Sequence, residues 1–156
     1  MKHLFILLLG LGLFACQPSN QSTPEGDNPS DSITAAGTIR DGAFIHISHG
    51  SDDPHRLLMG LSMARRMAED KDVLVYMDIE AVKVLTASAS PIAMEPFGSH
   101  LEILQGLLDA EVTVMACPAC LQVAGISPDL LIPGIRLAEK EAFFGFTEGR
   151  IISIDY

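Results

Sequence analysis

Two sulfurs spaced three residues apart are the residues best suited to chemistry. The apolar, β-branched run Val112-Thr-Val-Met-Ala116 stops abruptly at Cys117-Pro118-Ala119-Cys120, the pattern of a strand feeding straight into a helix. Pro118 suits the first helical position, where its missing N–H costs nothing, so Cys117 is expected at the N-cap and Cys120 in the first turn. A helix N-terminus favours thiolate over thiol, and the thiolate is the nucleophile, so this turn predicts at least one reactive sulfur. Cysteine is also often buried as a small hydrophobe. What favours a chemical role is the position at a strand's carboxyl end, where open α/β sheets place their sites.

A second polar group follows the first apolar run: His49, Asp52, Asp53 and His55. They form a possible pocket that approaches the cysteine turn if the two strands are neighbours. With the two thiolates, His49 and His55 make a donor set suited to zinc or copper. Any single histidine also has the plainer reading of a cap or hydrogen-bonded loop residue. His46, within a strand, and His100, at a helix start, stand behind these two. Glu95 and Glu102 have no spacing that specifies paired-carboxylate catalysis. The serines flanking His49 lack a nucleophile elbow. Neither a dinucleotide fingerprint nor a Walker-type loop occurs, and no cofactor is expected.

The elements that must position these residues alternate between strand and helix. Ala43 to Ser48 reads as the first strand, and Asp53-Pro54 as the cap and first turn of a helix running to about Asp70. Leu57, Leu61, Ala64 and Ala68 recur at helical spacing on its inner side. Met59, Met63 and Met67 form a second stripe, read as packing. Asp72 to Asp78 is an unbroken apolar strand, expected to be buried on both faces of a parallel sheet. Asp78 is expected to cap a short helix from Ile79 to about Thr86. Ala87 to Gly98 is expected to be loop. Ser99-His-Leu-Glu102 has capping-box spacing and opens a helix to about Ala110. After the cysteine turn, Ser127-Pro128 starts a short helical turn, and Pro133 to Leu137 is a fourth strand. A helix over Ala138 to about Phe144 and a strand over Ile151 to Ile154 follow. The pattern predicts a three-layer α/β/α sandwich around a mainly parallel five-stranded sheet with right-handed crossovers.

Three segments divide the 156 residues. Residues 1–15 combine a basic start with an apolar stretch, Leu4 to Ala15, shorter than the roughly 20 residues of a spanning helix, and read as an export signal. Leu13-Phe14-Ala15-Cys16 resembles the bacterial lipobox. That resemblance implies acyl chains on Cys16 and anchoring in a lipid membrane. By the same resemblance, Gln17 rather than Asp after the cysteine fits the enterobacterial sorting pattern for the outer membrane, facing the periplasm, within the cell envelope. Residues 16–41 are rich in Ser, Asn, Pro, Gly and acids and read as a disordered tether, spanning on the order of 27 Å. Residues 42–156 form one domain. Export leaves Cys117 and Cys120 as the free thiols in a compartment that permits disulfides. The net charge of -10 and the lack of a basic cluster exclude nucleic acid as an expected partner.

From Phe44 to Tyr156 the sequence resembles the DsrE/DsrF-like family of sulfur-relay proteins. The likeness rests on Ile47-Ser-His-Gly-Ser-Asp-Asp-Pro-His-Arg-Leu-Leu-Met-Gly-Leu-Ser-Met-Ala64 and on Cys117-Pro-Ala-Cys-Leu-Gln-Val-Ala-Gly-Ile126. The resemblance implies an α/β sheet, assembly as a homo-oligomer (trimer or hexamer), and a persulfide carried on the matching cysteine, Cys120. Cys117 matches an additional cysteine of some members. Helix electrostatics instead select Cys117 as the attacking thiolate. The family match sets the expectation: Cys120 as carrier, Cys117 as resolving or modulating thiol.

Three functions follow, in order. The first is a membrane-tethered sulfur carrier, or sulfurtransferase-like protein, with an unspecified donor and acceptor. The second is a thiol-disulfide redox protein cycling Cys117 and Cys120. The third is a non-enzymatic metal-binding or assembly module.

Overall fold

A computed structural model describes residues 39–156. The segment expected to be an export signal, Cys16 and all but the last residues of the expected tether lie outside the described residues.

Five strands form one parallel sheet in the order β6-β5-β2-β1-β7. They are β1 (Gly42–Ile47), β2 (Asp72–Met77), β5 (Thr113–Ala116), β6 (Arg136–Leu137) and β7 (Ile151–Asp155). A separate two-stranded antiparallel hairpin joins β3 (Ala93–Met94) to β4 (Gly98–Ser99). The main helices are α1 (Pro54–Met67), α2 (His100–Asp109) and α3 (Pro118–Ala124), with one further turn, α4 (Ala142–Gly145). The chain steps from β1 through β2 and β5 to β6, then returns to place β7 on the far side of β1. This is the α/β sheet that the alternation of elements predicts.

Strand side chains alternate between faces with period two, and the two faces differ. Ala43, Ile45 and Ile47 of β1, Val73, Val75 and Met77 of β2, and Val114 and Ala116 of β5 are buried in one continuous core. That core is closed by Leu57, Leu58, Leu61 and Ala64 of α1, by Ile103, Leu104 and Leu107 of α2, and by Leu121 of α3. Each fully buried leucine or isoleucine removes enough apolar area from water to contribute about 1.5–3 kcal/mol. The other face carries Phe44, His46, Leu74, Tyr76 and Met115. Its aromatic cover is Phe143 of α4, whose ring meets Phe44 and Tyr76 edge-on at 5.7 and 5.1 Å. The second helical layer is therefore a single turn, because the segment expected as helix from Ala138 folds only over Ala142–Gly145.

Local signals explain most boundaries. Asp53 caps α1, its Oδ1 accepting from the Arg56 amide at 3.2 Å, and Pro54 opens the helix. Ser99 stands at the N-cap of α2 as its spacing predicts, yet its hydroxyl makes no capping bond. The buried His100 secures that corner instead. Its Nδ1 accepts from the Ile92 amide at 2.9 Å, and its Nε2 donates to the Val84 carbonyl at 3.3 Å. The helix expected after Asp78 shrinks to a 3-10 turn over Ala81–Val84, and the expected loop from Ala87 to Gly98 contains the hairpin.

Candidate functional site

The cysteine turn follows β5 directly. The Cys117 amide donates to the Met77 carbonyl at 2.9 Å, carrying the ladder one residue past the strand. Cys117 is the extended N-cap of α3, Pro118 takes the first helical position, and Gly125 ends the helix with φ 67°, a conformation that suits glycine. Both cysteines are free thiols and half-buried.

Their surroundings separate them. Burial pushes the Cys117 thiol up, but a hydrogen bond from Tyr76, the amides of Cys120 and Ala119 and the Cys120 thiol together hold it below the ordinary value. Burial also pushes Cys120 up. There the Ile79 amide alone favours the thiolate, while Cys117 and the Asp78 charge oppose it, and the net direction is upward. Cys117 is therefore the better thiolate and Cys120 the better-held thiol. The donor, Tyr76, is itself held well above its usual range, first by burial and then by Cys117.

Tyr76 belongs to a stack on the less covered face of the sheet. Its ring lies 5.4 Å from His46, which lies 6.4 Å from Phe44. His46 is flanked by two acids: Nε2 reaches Asp78 Oδ2 at 3.0 Å and Nδ1 reaches Asp155 Oδ1 at 2.9 Å. Asp78 is one residue past β2, and its other oxygen, Oδ1, is buried with no hydrogen-bond partner. The next residue, Ile79, has φ 46°. That is an outlying conformation for a β-branched residue, and its amide points at Cys120. Cys120 opens on a shallow groove lined by Ile79, Glu80, Lys83, Val123 and Ala124. A larger groove at the opposite end of the strands, bordered by Asp41, Met67, Lys71, Arg150 and Ile151, holds neither thiol nor imidazole.

The second polar group expected from sequence forms, but elsewhere. His49 Nδ1 meets Asp52 Oδ2 at 2.6 Å, and the Gly50 amide donates to Asp52 Oδ1 at 2.7 Å. Burial raises the Asp52 carboxyl, and these two bonds bring it below its usual range. Asp53 caps α1, and the exposed His55 packs against Phe97 at 5.6 Å. The condition for the pocket fails because β2 separates β1 from β5. Likewise, His49, His55, Cys117 and Cys120 do not gather as metal ligands: among the described residues no cluster of three or more such side chains could hold an ion. Sequence reading missed Tyr76 and Asp78 and undervalued His46. The signal was there in the i, i+2 spacing of Tyr76 and Asp78, which puts both on one face of β2.

Sheet order and site together give an α/β domain with a parallel five-stranded sheet and a paired-thiol turn. Two solved structures share this fold with a TM-score of 0.55 each. One is the MTH1491 protein of Methanobacterium thermoautotrophicum, 21% identical over 74% of this chain and 99% of its own. The other is the ychN protein of E. coli, 16% identical over 74% of this chain and 100% of its own. At these identities the likeness establishes the fold alone. No family model matches the chain, and neither does any curated protein.

Proposed function

We propose that this chain is a membrane-tethered sulfur carrier that holds sulfane sulfur as a persulfide and yields it to an acceptor thiol. The observation that carries the reading is the Cys117 thiol, held toward thiolate by Tyr76 and the first amides of α3. The Cys117 thiolate attacks the outer sulfur of a persulfide or polysulfide. The donor's S–S bond breaks, the donor departs as thiolate, and Cys117–S–SH is formed. The outer sulfur then passes to an acceptor thiolate by the same exchange in reverse. This exchanges the roles expected from the family match, which assigns the carrier to Cys120, because the surroundings of Cys120 favour its thiol. The acylated Cys16 holds the domain at the envelope membrane, and the exposed Phe144, Ile151 and Ile152 suit contacts within a homo-oligomer.

The hydrogen bond between the two cysteines supports a second reading, a thiol-disulfide redox protein. Intact-mass measurement separates the two. The full chain carrying Cys16→Ser is treated with polysulfide, alone and with Cys117→Ser or Cys120→Ser. A mass gain of one sulfur that persists in Cys120→Ser and disappears in Cys117→Ser is expected. Loss of the gain in Cys120→Ser alone moves the carrier to that residue. Loss of two protons with no adduct in any form selects the redox reading.

A further inference from the structure

Asp78 follows β2 directly, beside the turn that carries the two thiols. Met77 pairs with Ala116, and the Cys117 amide donates to the Met77 carbonyl, so the next rung sets Asp78 beside Cys117, one strand spacing away at about 4.8 Å. The Ile79 amide, bonded to the Asp78 carbonyl carbon, donates to the Cys120 sulfur. The carboxylate is largely buried, with 16% of the side chain exposed. Its Oδ2 is fixed by His46, and its buried Oδ1 receives no donor. A buried, unmatched carboxylate oxygen destabilises the fold, a cost that a proton-accepting role accounts for. The titratable groups around it come from four places: His46 of β1, Asp155 of β7, Tyr76 of β2, and Cys117 and Cys120 of the turn.

We propose that Asp78 is the proton acceptor for Cys120 when that thiol resolves a sulfur adduct on Cys117, with His46, backed by Asp155, as the positioning residue. The adduct is Cys117–S–S–R, where R is hydrogen for a persulfide or an organic group for a mixed disulfide. Cys120 gives its proton to Asp78 Oδ1, and its electron pair forms a bond to the Cys117 sulfur. The bond from Cys117 to the outer sulfur breaks, and that pair leaves with the outer sulfur as R–S⁻, which takes up a proton to become R–SH. The products are the Cys117–Cys120 disulfide and one thiol, or hydrogen sulfide when R is hydrogen. An external dithiol then supplies two electrons and two protons to restore the pair. With R as hydrogen the step rests on the sulfur-carrier reading; with R organic it does not.

The test uses the full chain with Cys16→Ser and 5,5′-dithiobis(2-nitrobenzoate), which releases one chromophore when Cys117 attacks and a second when Cys120 resolves. In Asp78→Asn the second release is expected to slow by about tenfold or more relative to the first release of the same variant at neutral pH, recovering as pH rises. Asp78→Glu is expected to restore the wild-type pH profile. The alternative, a carboxylate that only repels the Cys120 thiolate, predicts the opposite sign: its removal would speed the second release. An unchanged or faster second release in folded Asp78→Asn overturns the proposal. Should that variant not fold, His46→Phe, which leaves the carboxylate without its orienting donor, must slow the second release, and an unchanged rate there overturns it equally. A parallel polysulfide arm reads hydrogen sulfide. Absence of any one-sulfur adduct on Cys120→Ser, where resolution cannot occur, sinks the carrier reading and leaves the chromophore arm to judge Asp78.

Discussion

The two faces of the one sheet are made from the same strands and do different work. Toward α1 and α2 every β1 side chain is aliphatic and sealed; toward α4 the alternating positions carry Phe44, His46 and, across the pair, Tyr76. The histidines repeat the contrast. His100, wholly buried at the start of α2, makes two backbone hydrogen bonds and no ion pair, whereas His46 sits half-buried between two carboxylates. A period of two thus lets one strand present a sealed aliphatic face and a polar aromatic one at once.

That division can be broken most severely from the packed side. Leu104→Ala removes a fully buried side chain of α2 and is expected to cost about 2–5 kcal/mol in urea unfolding, with the alkylation rate of Cys117 unchanged under native conditions. On the other face, Tyr76→Phe deletes a donor to the Cys117 sulfur. Its alkylation by iodoacetamide at neutral pH is expected to fall by roughly tenfold, since a hydrogen bond to a charged group is worth about 1.5–3 kcal/mol, while stability changes much less than for Leu104→Ala.

The histidines give smaller effects. Burial holds the His100 ring below its ordinary value of 6.5, so between the folded and unfolded values the unfolded chain binds more protons and stability rises with pH. The urea midpoint of the native protein should drop as pH falls through 6.5, and His100→Gln should flatten that slope. The smallest change is expected at His49→Gln. Its partners are Asp52 and Arg56, and β2 stands between its strand and the thiols, so Cys117 alkylation should match the native rate.

Much of the scaffold was legible because its signals are local. Asp53-Pro54 marks the start of α1, Pro118 places Cys117 at an N-cap, and the apolar runs of β1, β2 and β5 mark the central strands. Two features were not legible. Strand order is a property of pairing across long separations, so nothing near His49 or His55 announces that β2 intervenes before the cysteines. The apolar run of β2 also suggested burial on both faces, which hid Tyr76 and Asp78 in a strand read as core. The hairpin of Ala93–Met94 with Gly98–Ser99 escaped because each arm is only two residues long, too short for periodicity. The helix expected after Pro133-Gly-Ile-Arg-Leu137 is reduced to α4, where Phe143 is the one ring that finds aromatic partners on the sheet.

That reduced cover bears on timing. A four-residue turn holding one ring over Tyr76 has few neighbours to resist local opening, and such segments exchange their amide hydrogens long before a packed core does. A small thiol-directed reagent then needs no permanent channel to the tyrosine side of the thiols. Brief excursions of Ala142–Gly145 would admit it while the aliphatic half of the molecule stays shut.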